Sequence, residues 1–322
     1  MYLTFYGLSE KPFNATPDPR FLYMSTGHRE ALAQLLYGTQ EKKGFIVLTG
    51  KVGTGKSTLI HALHQRLDGQ SAIAFIVNSA LSFDGLLEYI LADLGISKMG
   101  ESRAQCLMAL NRYLIERERA GQNTVLIIDE AQNLETATLE QIRLLSNFET
   151  PTSKLLQILL VGQPELKTKL ALPELHQLKQ RVGVRCQIPP LTMQETRAYI
   201  RTRLRIAGAR DLGLFTEPAI DRLWAYSGGI PRLINTVCDH SLLFGYADQK
   251  RRIDQRVVNR AIEYLEEGTR VQTPAASMSR VVFRWSMGAL ILTVVTSLAA
   301  LALRASAGPL RLVDSVRQLL GQ

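Results

Sequence analysis

Cysteine is scarce in this chain: 322 residues hold three, Cys106, Cys186 and Cys238. They are far apart, odd in number and without metal-ligand spacing, which argues against a disulfide scaffold and against a zinc site. They read as small buried apolar residues of a reducing compartment. The N-terminus, Met1-Tyr2-Leu3-Thr4-Phe5, has no basic region followed by an apolar core, so no secretory signal peptide is expected. There is no internal repeat and no low-complexity tract. Acidic residues run short at one end. Net charge is +9, and residues 271–322 carry five arginines against Asp314 alone. Over the long remaining body the positive excess is mild and does not argue for nucleic acid.

What is present is led by Gly50-Lys51-Val52-Gly53-Thr54-Gly55-Lys56-Ser57, which fits the phosphate-loop pattern G-x-x-x-x-G-K-[ST] at every fixed position. An apolar run, Phe45 to Leu48, precedes it, and Leu59, Leu63 and Leu67 follow at helical spacing. Glycines let the backbone curl so that its N–H groups face the phosphates, and the next helix adds its positive end. Gly50, Val52, Gly53, Thr54, Gly55, Lys56, Ser57 and Thr58 are therefore the expected nucleotide-binding set. Lys56 is expected at the β- and γ-phosphates, and Ser57 on Mg²⁺. ATP and Mg²⁺ are the implied ligands, and the nucleotide-binding part is expected in the cytoplasm.

Val125 to Ile128 is a buried-strand run ending in Asp129 and Glu130. Asp129 can complete the Mg²⁺ shell opposite Ser57, and Glu130 can polarise a water for attack on the γ-phosphate. No motif for a phosphate acceptor is present, so hydrolysis is preferred to transfer.

Strands are predicted at 45–49, 72–77, 124–128, 155–161 and 184–188. Helices are predicted at 28–42, 57–67, 83–94, 101–120 and 136–147. That alternation predicts an α/β fold with a parallel sheet flanked by helices. Residues 1–27, rich in aromatics and prolines, read as an ordered extended arm of the 1–190 domain. After Pro189-Pro190 the strands stop. Thr192-Met193-Gln194-Glu195 is a capping box, and helices to 207 and near 216–226, 231–245 and 254–266 make 191–267 a small all-α domain. A linker is expected at 268–284.

Trp285 to Leu303 is nineteen residues without a charge, bracketed by Arg284 and Arg304. At about 1.5 Å per residue it just crosses a bilayer core of about 30 Å. One transmembrane helix over 285–303 is expected, with a short tail, 304–322, outside the cytoplasm. Ala289, Thr293 and Ser297 form a small-residue seam along it.

Phe5-Tyr6-Gly7-Leu8, Pro12-Phe13, Pro17-Asp18-Pro19, His28-Arg29-Glu30-Ala31-Leu32, Gly162-Gln163-Pro164-Glu165-Leu166, Gln180-Arg181 and Gly228-Gly229-Ile230-Pro231-Arg232-Leu233-Ile234-Asn235 together resemble the ExeA/GspA ATPases over about residues 1–267. These are AAA+ proteins linked to general secretion, with relatives in pilus biogenesis and exopolysaccharide export. The resemblance implies an AAA+ core with a helical lid. It implies an adenine pocket lined by Pro17, Tyr23 and His28, Gln163 as sensor 1 and Arg232 as sensor 2. Arg181 would be the arginine finger offered to a neighbouring subunit, with Arg185 as the other choice, and a finger in trans implies a homo-oligomer. ExeA proteins also carry a peptidoglycan-binding domain beyond the membrane, for which 304–322 is too short. The expected function is a membrane-anchored ATPase serving an envelope secretion or export machine in the bacterial inner membrane. A DNA-associated AAA+ ATPase of the transposition-helper type is the alternative, although the membrane span points away from nucleic acid.

Overall fold

A computed structural model describes residues 1–14, 18–67, 69, 71–77, 81–97 and 102–270. Met1–Ile262 pack as one compact unit, and Glu263–Gln322 form a second. In chain order the first unit begins with α1 (Tyr2–Tyr6), α2 (Thr26–Gln40), β1 (Phe45–Gly50), α3 (Lys56–Leu67), β2 (Ser71–Ile76), α4 (Phe83–Asp93) and α5 (Arg103–Arg119). Next come β3 (Asn123–Ile128), α6 (Thr136–Leu145), β4 (Gln157–Gly162), α7 (Glu165–Leu170), α8 (His176–Arg181) and β5 (Val182–Ile188). Among the described residues, helices then follow: α9 (Met193–Ile206), α10 (Glu217–Ser227), α11 (Pro231–Ala247) and α12 (Gln255–Arg270), which continues past Ile262.

The five strands form a parallel sheet in the order β2-β3-β4-β1-β5. β1 and β4 are buried at every position, as central strands covered on both faces must be. Side chains alternate between the faces. Phe45, Val47, Leu126, Ile128, Ile158 and Leu160 join one core cluster with α4, α5 and α6. Ile46, Leu48, Val125, Ile127, Leu159 and Val161 join the other, with α2 and α3. Each fully buried Leu or Ile contributes about 1.5–3 kcal/mol. The register sets Thr49 beside Gly162 and Ile128 beside Leu160. The carboxyl ends of β1, β3 and β4 therefore lie level, at the edge where open α/β sheets bind ligands.

The structure corrects the expected boundaries in places. The arm is not wholly extended: Tyr2–Tyr6 is helical and Pro19–Phe21 forms a 3₁₀ turn. The arm also leans on the helical part of the unit. Tyr2 Oη donates to Asp239 at 2.5 Å, and the Ser9 amide donates to the Ala207 carbonyl at 2.8 Å. The expected strand 155–161 runs Gln157–Gly162, and the helices α7 and α8 were not foreseen. The Thr192–Glu195 capping box is formed in both directions. α12 extends to Arg270, into the expected linker. Among the described residues no helix is long and apolar enough to cross a membrane. The expected span 285–303 and tail 304–322 lie outside the described residues, as do residues 271–284 of the linker and Pro17.

Candidate functional site

The turn after β1 curls because Gly53 and Gly55 stand at φ of 80° and 97°. Other residues are strained there, and both places are also crowded. A Cβ on Gly53 would lie 2.6 Å from Arg232 Cβ, and one on Gly55 would lie 3.0 Å from His28 Nε2. Thr54 is buried, and its hydroxyl donates to the Lys51 carbonyl at 2.8 Å. Lys56 opens α3 but is only 6% exposed, and its ammonium donates to the Gly50 carbonyl at 3.1 Å. Val52 stands at the exposed crest of the loop.

β3 brings the acids to this loop. Ser57 Oγ donates to Asp129 Oδ2 at 3.4 Å. Burial raises the Asp129 carboxyl above its ordinary range, against the lowering effect of the Glu130 amide, Lys56 and Ser57. Glu130 occupies the left-handed region at φ 49°. Burial alone would raise its pKa too. Hydrogen bonds from Gln132 and Gln163, with the nearby Lys56 charge, outweigh that and hold it low. Both amides donate to the same oxygen, Glu130 Oε2, at 2.5 Å from Gln132 and 3.1 Å from Gln163. Gln163 sits just past β4, where sensor 1 was expected. Gln132 was not foreseen, although an amide two residues after the acid was the available signal.

His28 does more than line a pocket. Its Nδ1 lies 2.6 Å from Ser25 Oγ and its Nε2 lies 3.0 Å from the Thr54 carbonyl. A carbonyl only accepts, so Nε2 carries the hydrogen and Nδ1 accepts from Ser25. The ring thus braces the phosphate loop from α2. Burial pushes its pKa below the ordinary value, against the raising effect of the Thr54 bond.

A cavity of about 550 Å³ opens at this loop. Tyr23, His28, Val52, Gly53, Gly55, Lys56, Ser57, Thr58, Glu130 and Arg232 line it, all of them expected site residues. Gly50, Thr54, Asp129 and Gln163 are not among its lining residues. From the helical part, the Arg232 amide donates to the Gly53 carbonyl at 3.2 Å, which brings the start of α11 onto the loop. Arg181 and Arg185 do not line the cavity. Arg181 Nη1 donates to Ser146 Oγ at 2.6 Å, to Asn147 Oδ1 at 2.7 Å and to the Arg143 carbonyl at 3.2 Å, capping the end of α6. Arg185 is exposed and donates to the Lys179 carbonyl at 2.9 Å.

Ser57 Oγ and Asp129 Oδ2 are hard oxygen donors and fit Mg²⁺, which takes one or two protein oxygens together with phosphate and water. Among the described residues no group of three or more His, Cys, Asp or Glu could hold a metal by itself.

Known proteins match this chain in parts. Residues 39–170 match the AAA domain family model. The chain is 44% identical over 254 residues to General secretion pathway protein A of Aeromonas hydrophila, covering 79% of this chain and 46% of that protein. It is 30% identical over 161 residues to an uncharacterized HTH-type transcriptional regulator of Methanocaldococcus jannaschii, covering 48% of this chain and 38% of that protein. The chain therefore spans less than half the length of these curated relatives. Among solved structures, the ORC2 protein of Aeropyrum pernix in its ADPNP–ADP complexes aligns with a TM-score of 0.59 at 18% identity, covering 80% of this chain and 71% of that one. Cdc6p of Pyrobaculum aerophilum aligns with a TM-score of 0.58 at 17% identity, covering 80% and 75%. At such identities the likeness establishes the fold alone. The chain thus carries an AAA domain and, over 254 residues, is similar to the GspA protein of a general secretion pathway.

Proposed function

We propose that this protein binds ATP with Mg²⁺ and hydrolyses it, and that the hydrolysis serves a bacterial envelope secretion or export machine. The observation that carries the chemistry is the convergence of Lys56, Ser57, Glu130 and Arg232 on one cavity at the phosphate loop. Lys56 turns from the Gly50 carbonyl to the β- and γ-phosphates. Ser57 and Asp129 hold Mg²⁺, which neutralises phosphate charge when bound. Glu130 leaves its two glutamine donors and accepts a proton from a water. The water oxygen bonds to the γ-phosphorus as the bond to the β-phosphate oxygen breaks, giving ADP and phosphate. Gln163, released from Glu130, orients that water. Arg232 reaches the γ-phosphate from α11, so loss of that phosphate frees the helical lid to relax.

The link to secretion rests on the Aeromonas relative and its name. We place the ATPase part in the cytoplasm, anchored by the apolar segment 285–303, with residues 1–190 as the nucleotide-binding core and 191–267 as the lid. Completion of each site by Arg181 of a second subunit makes the homo-oligomer the active form. In that form the Arg181 guanidinium exchanges Ser146 and Asn147 for a neighbour's γ-phosphate. Arg181→Ala and Lys56→Ala should each be inactive alone. Mixed under subunit exchange they should regain part of the turnover, because Arg181 of the Lys56→Ala subunit meets ATP held by the other. A mixed oligomer no more active than its parts moves the finger to Arg185. The DNA-associated reading has the archaeal HTH relative in its favour, and duplex DNA that raises phosphate release severalfold would establish it.

A further inference from the structure

The wall of the cavity away from the phosphate loop contains a buried cation. Arg203, on α9, is 7% exposed and lies over the rings of Phe21 and Tyr199, at 4.8 and 5.5 Å from their centroids. Its Nε donates to the Pro12 carbonyl at 2.5 Å and its Nη1 donates to Tyr199 Oη at 2.8 Å. Guanidinium only donates, so the Tyr199 hydroxyl is an acceptor toward Arg203 and must spend its own hydrogen elsewhere. Asn235 is the partner at hand: Tyr199 Oη lies 2.8 Å from its Oδ1. Burial raises the Tyr199 pKa against the lowering effect of Arg203, so the hydroxyl keeps that hydrogen. This chain of donors fixes the amide of Asn235, its oxygen toward Tyr199 and its NH₂ left for the cavity.

The cavity-lining face of α11 is polar at helical spacing: Arg232, Asn235, Thr236 and Asp239. From Arg232, against the phosphate loop, to Asp239 is seven residues, or about 10 Å of helix. A nucleotide with its phosphates at the loop would lie along this stripe, with its base toward Asp239. At the far end, Asp239 accepts from Tyr2 through Oδ1, which leaves Oδ2 as an acceptor one turn beyond the Asn235 donor.

We infer that Asn235, its amide oriented by Arg203 through Tyr199, is a nucleobase-reading residue that donates from Nδ2 to an acceptor on the base edge, with Asp239 taking a neighbouring base N–H. This rests on the nucleotide reading of the cavity. It assigns the base contact to the helical lid, so that base recognition and lid position are one event. A base bound there ties α9 and α11 together, with Pro12 of the arm held by the same arginine.

The test is equilibrium binding of two probes, ATP and inorganic tripolyphosphate, to the full chain without Mg²⁺. Tripolyphosphate carries the phosphates and no base. The native protein should bind ATP more tightly than tripolyphosphate. Asn235→Leu should weaken ATP about tenfold or more, the range for a hydrogen bond lost at a buried site, and leave tripolyphosphate within about twofold. Tyr199→Phe keeps the ring and frees the amide to turn, so it should weaken ATP severalfold and again spare tripolyphosphate. If Asn235→Leu does not melt cooperatively, Tyr199→Phe decides. Equal weakening of both probes would give these residues a lid-closing role and overturn base reading. So would native protein that binds both probes equally. Native protein that binds neither overturns the nucleotide reading, and this assignment with it.

Discussion

At the phosphate-loop end of the cavity, Gly53, Lys56 and Ser57 come from one eight-residue stretch, Gly50 to Ser57, that runs from the end of β1 into α3. At the other end Arg203, Asn235 and Asp239 come from two helices and engage Pro12 and Tyr2, 191 and 237 positions away in the chain. The first end presents fixed elements: a loop shaped by two positive-φ glycines and anchored on a fully buried strand. The second presents side chains that donate to and accept from each other. On the proposed function, chemistry falls to the locally built end, and recognition and coupling to the end that several elements must assemble. A rigid end holds phosphates and a water in place at no cost in reorganisation during reaction. An assembled end can come apart, which an ATP-driven switch requires.

The sharpest way to break this comparison is to remove chemistry without touching recognition. Glu130→Gln keeps the shape of the phosphate end and its hydrogen-bonding reach but cannot accept a proton. Turnover should fall by about 10²–10⁴, the range for one general base, while ATP affinity stays within about threefold. Phosphate release and nucleotide titration on the same preparation check both. Normal turnover in this variant would take the base role from Glu130.

The phosphate end was readable because its determinants are adjacent in the chain. A strand run, a glycine pattern and a lysine define it, and Val125 to Glu130 supplies the acids in the right order. Apolar runs likewise marked β1, β3 and β4, which are buried on both faces and need no alternation, whereas the outer strands β2 and β5 alternate in burial. What escaped was built by distant contacts. α7 and α8, six residues each, are too short to be stable alone and hold through tertiary packing. Arg203 sits among other arginines of α9, and only its helical spacing from Tyr199 and Ile200 separates it from its exposed neighbours, Arg201 and Arg205. The amide at Gln132 was visible two residues after the acid, but the left-handed turn at Glu130 on which their contact depends was not.

The second prediction concerns the turn that leads into α11. Gly229 stands at φ 75°, and a Cβ there would lie 2.0 Å from the Leu191 carbonyl oxygen. The Leu191 amide in turn donates to the Gly229 carbonyl at 2.8 Å. Gly229→Ala adds both backbone strain and a backbone overlap, and should destabilise the unit by about 3 kcal/mol. Gly228, also at positive φ, has open space around its Cβ direction. Gly228→Ala should therefore cost only about 1 kcal/mol. Denaturant titrations of the two variants give the contrast directly. Equal losses would mean that the close approach of Leu191 to Gly229 adds nothing to the cost of backbone strain.

The smallest effect expected is a pH dependence from His28, where the phosphate end meets α2. The neutral ring is fully used, with Ser25 donating to Nδ1 and Nε2 donating to Thr54. Burial depresses its pKa in the folded protein below the ordinary 6.5. Between those two values the unfolded chain binds the proton and the folded protein does not. Stability is therefore complete above pH 6.5, falls as pH drops toward the folded value, and levels off below it. Within that window the slope from one such group is at most about 1.4 kcal/mol per pH unit. His28→Gln should be less stable than the native protein at pH 8, because it breaks the Ser25–His28–Thr54 connection. That deficit should narrow as pH falls from 8 toward 5.5, since glutamine does not titrate. Unfolding free energies of both proteins across this range measure the narrowing. A deficit constant with pH would mean that His28 gains its proton equally in folded and unfolded chains, and would leave it a packing residue of α2 with no electrostatic part in holding the phosphate loop.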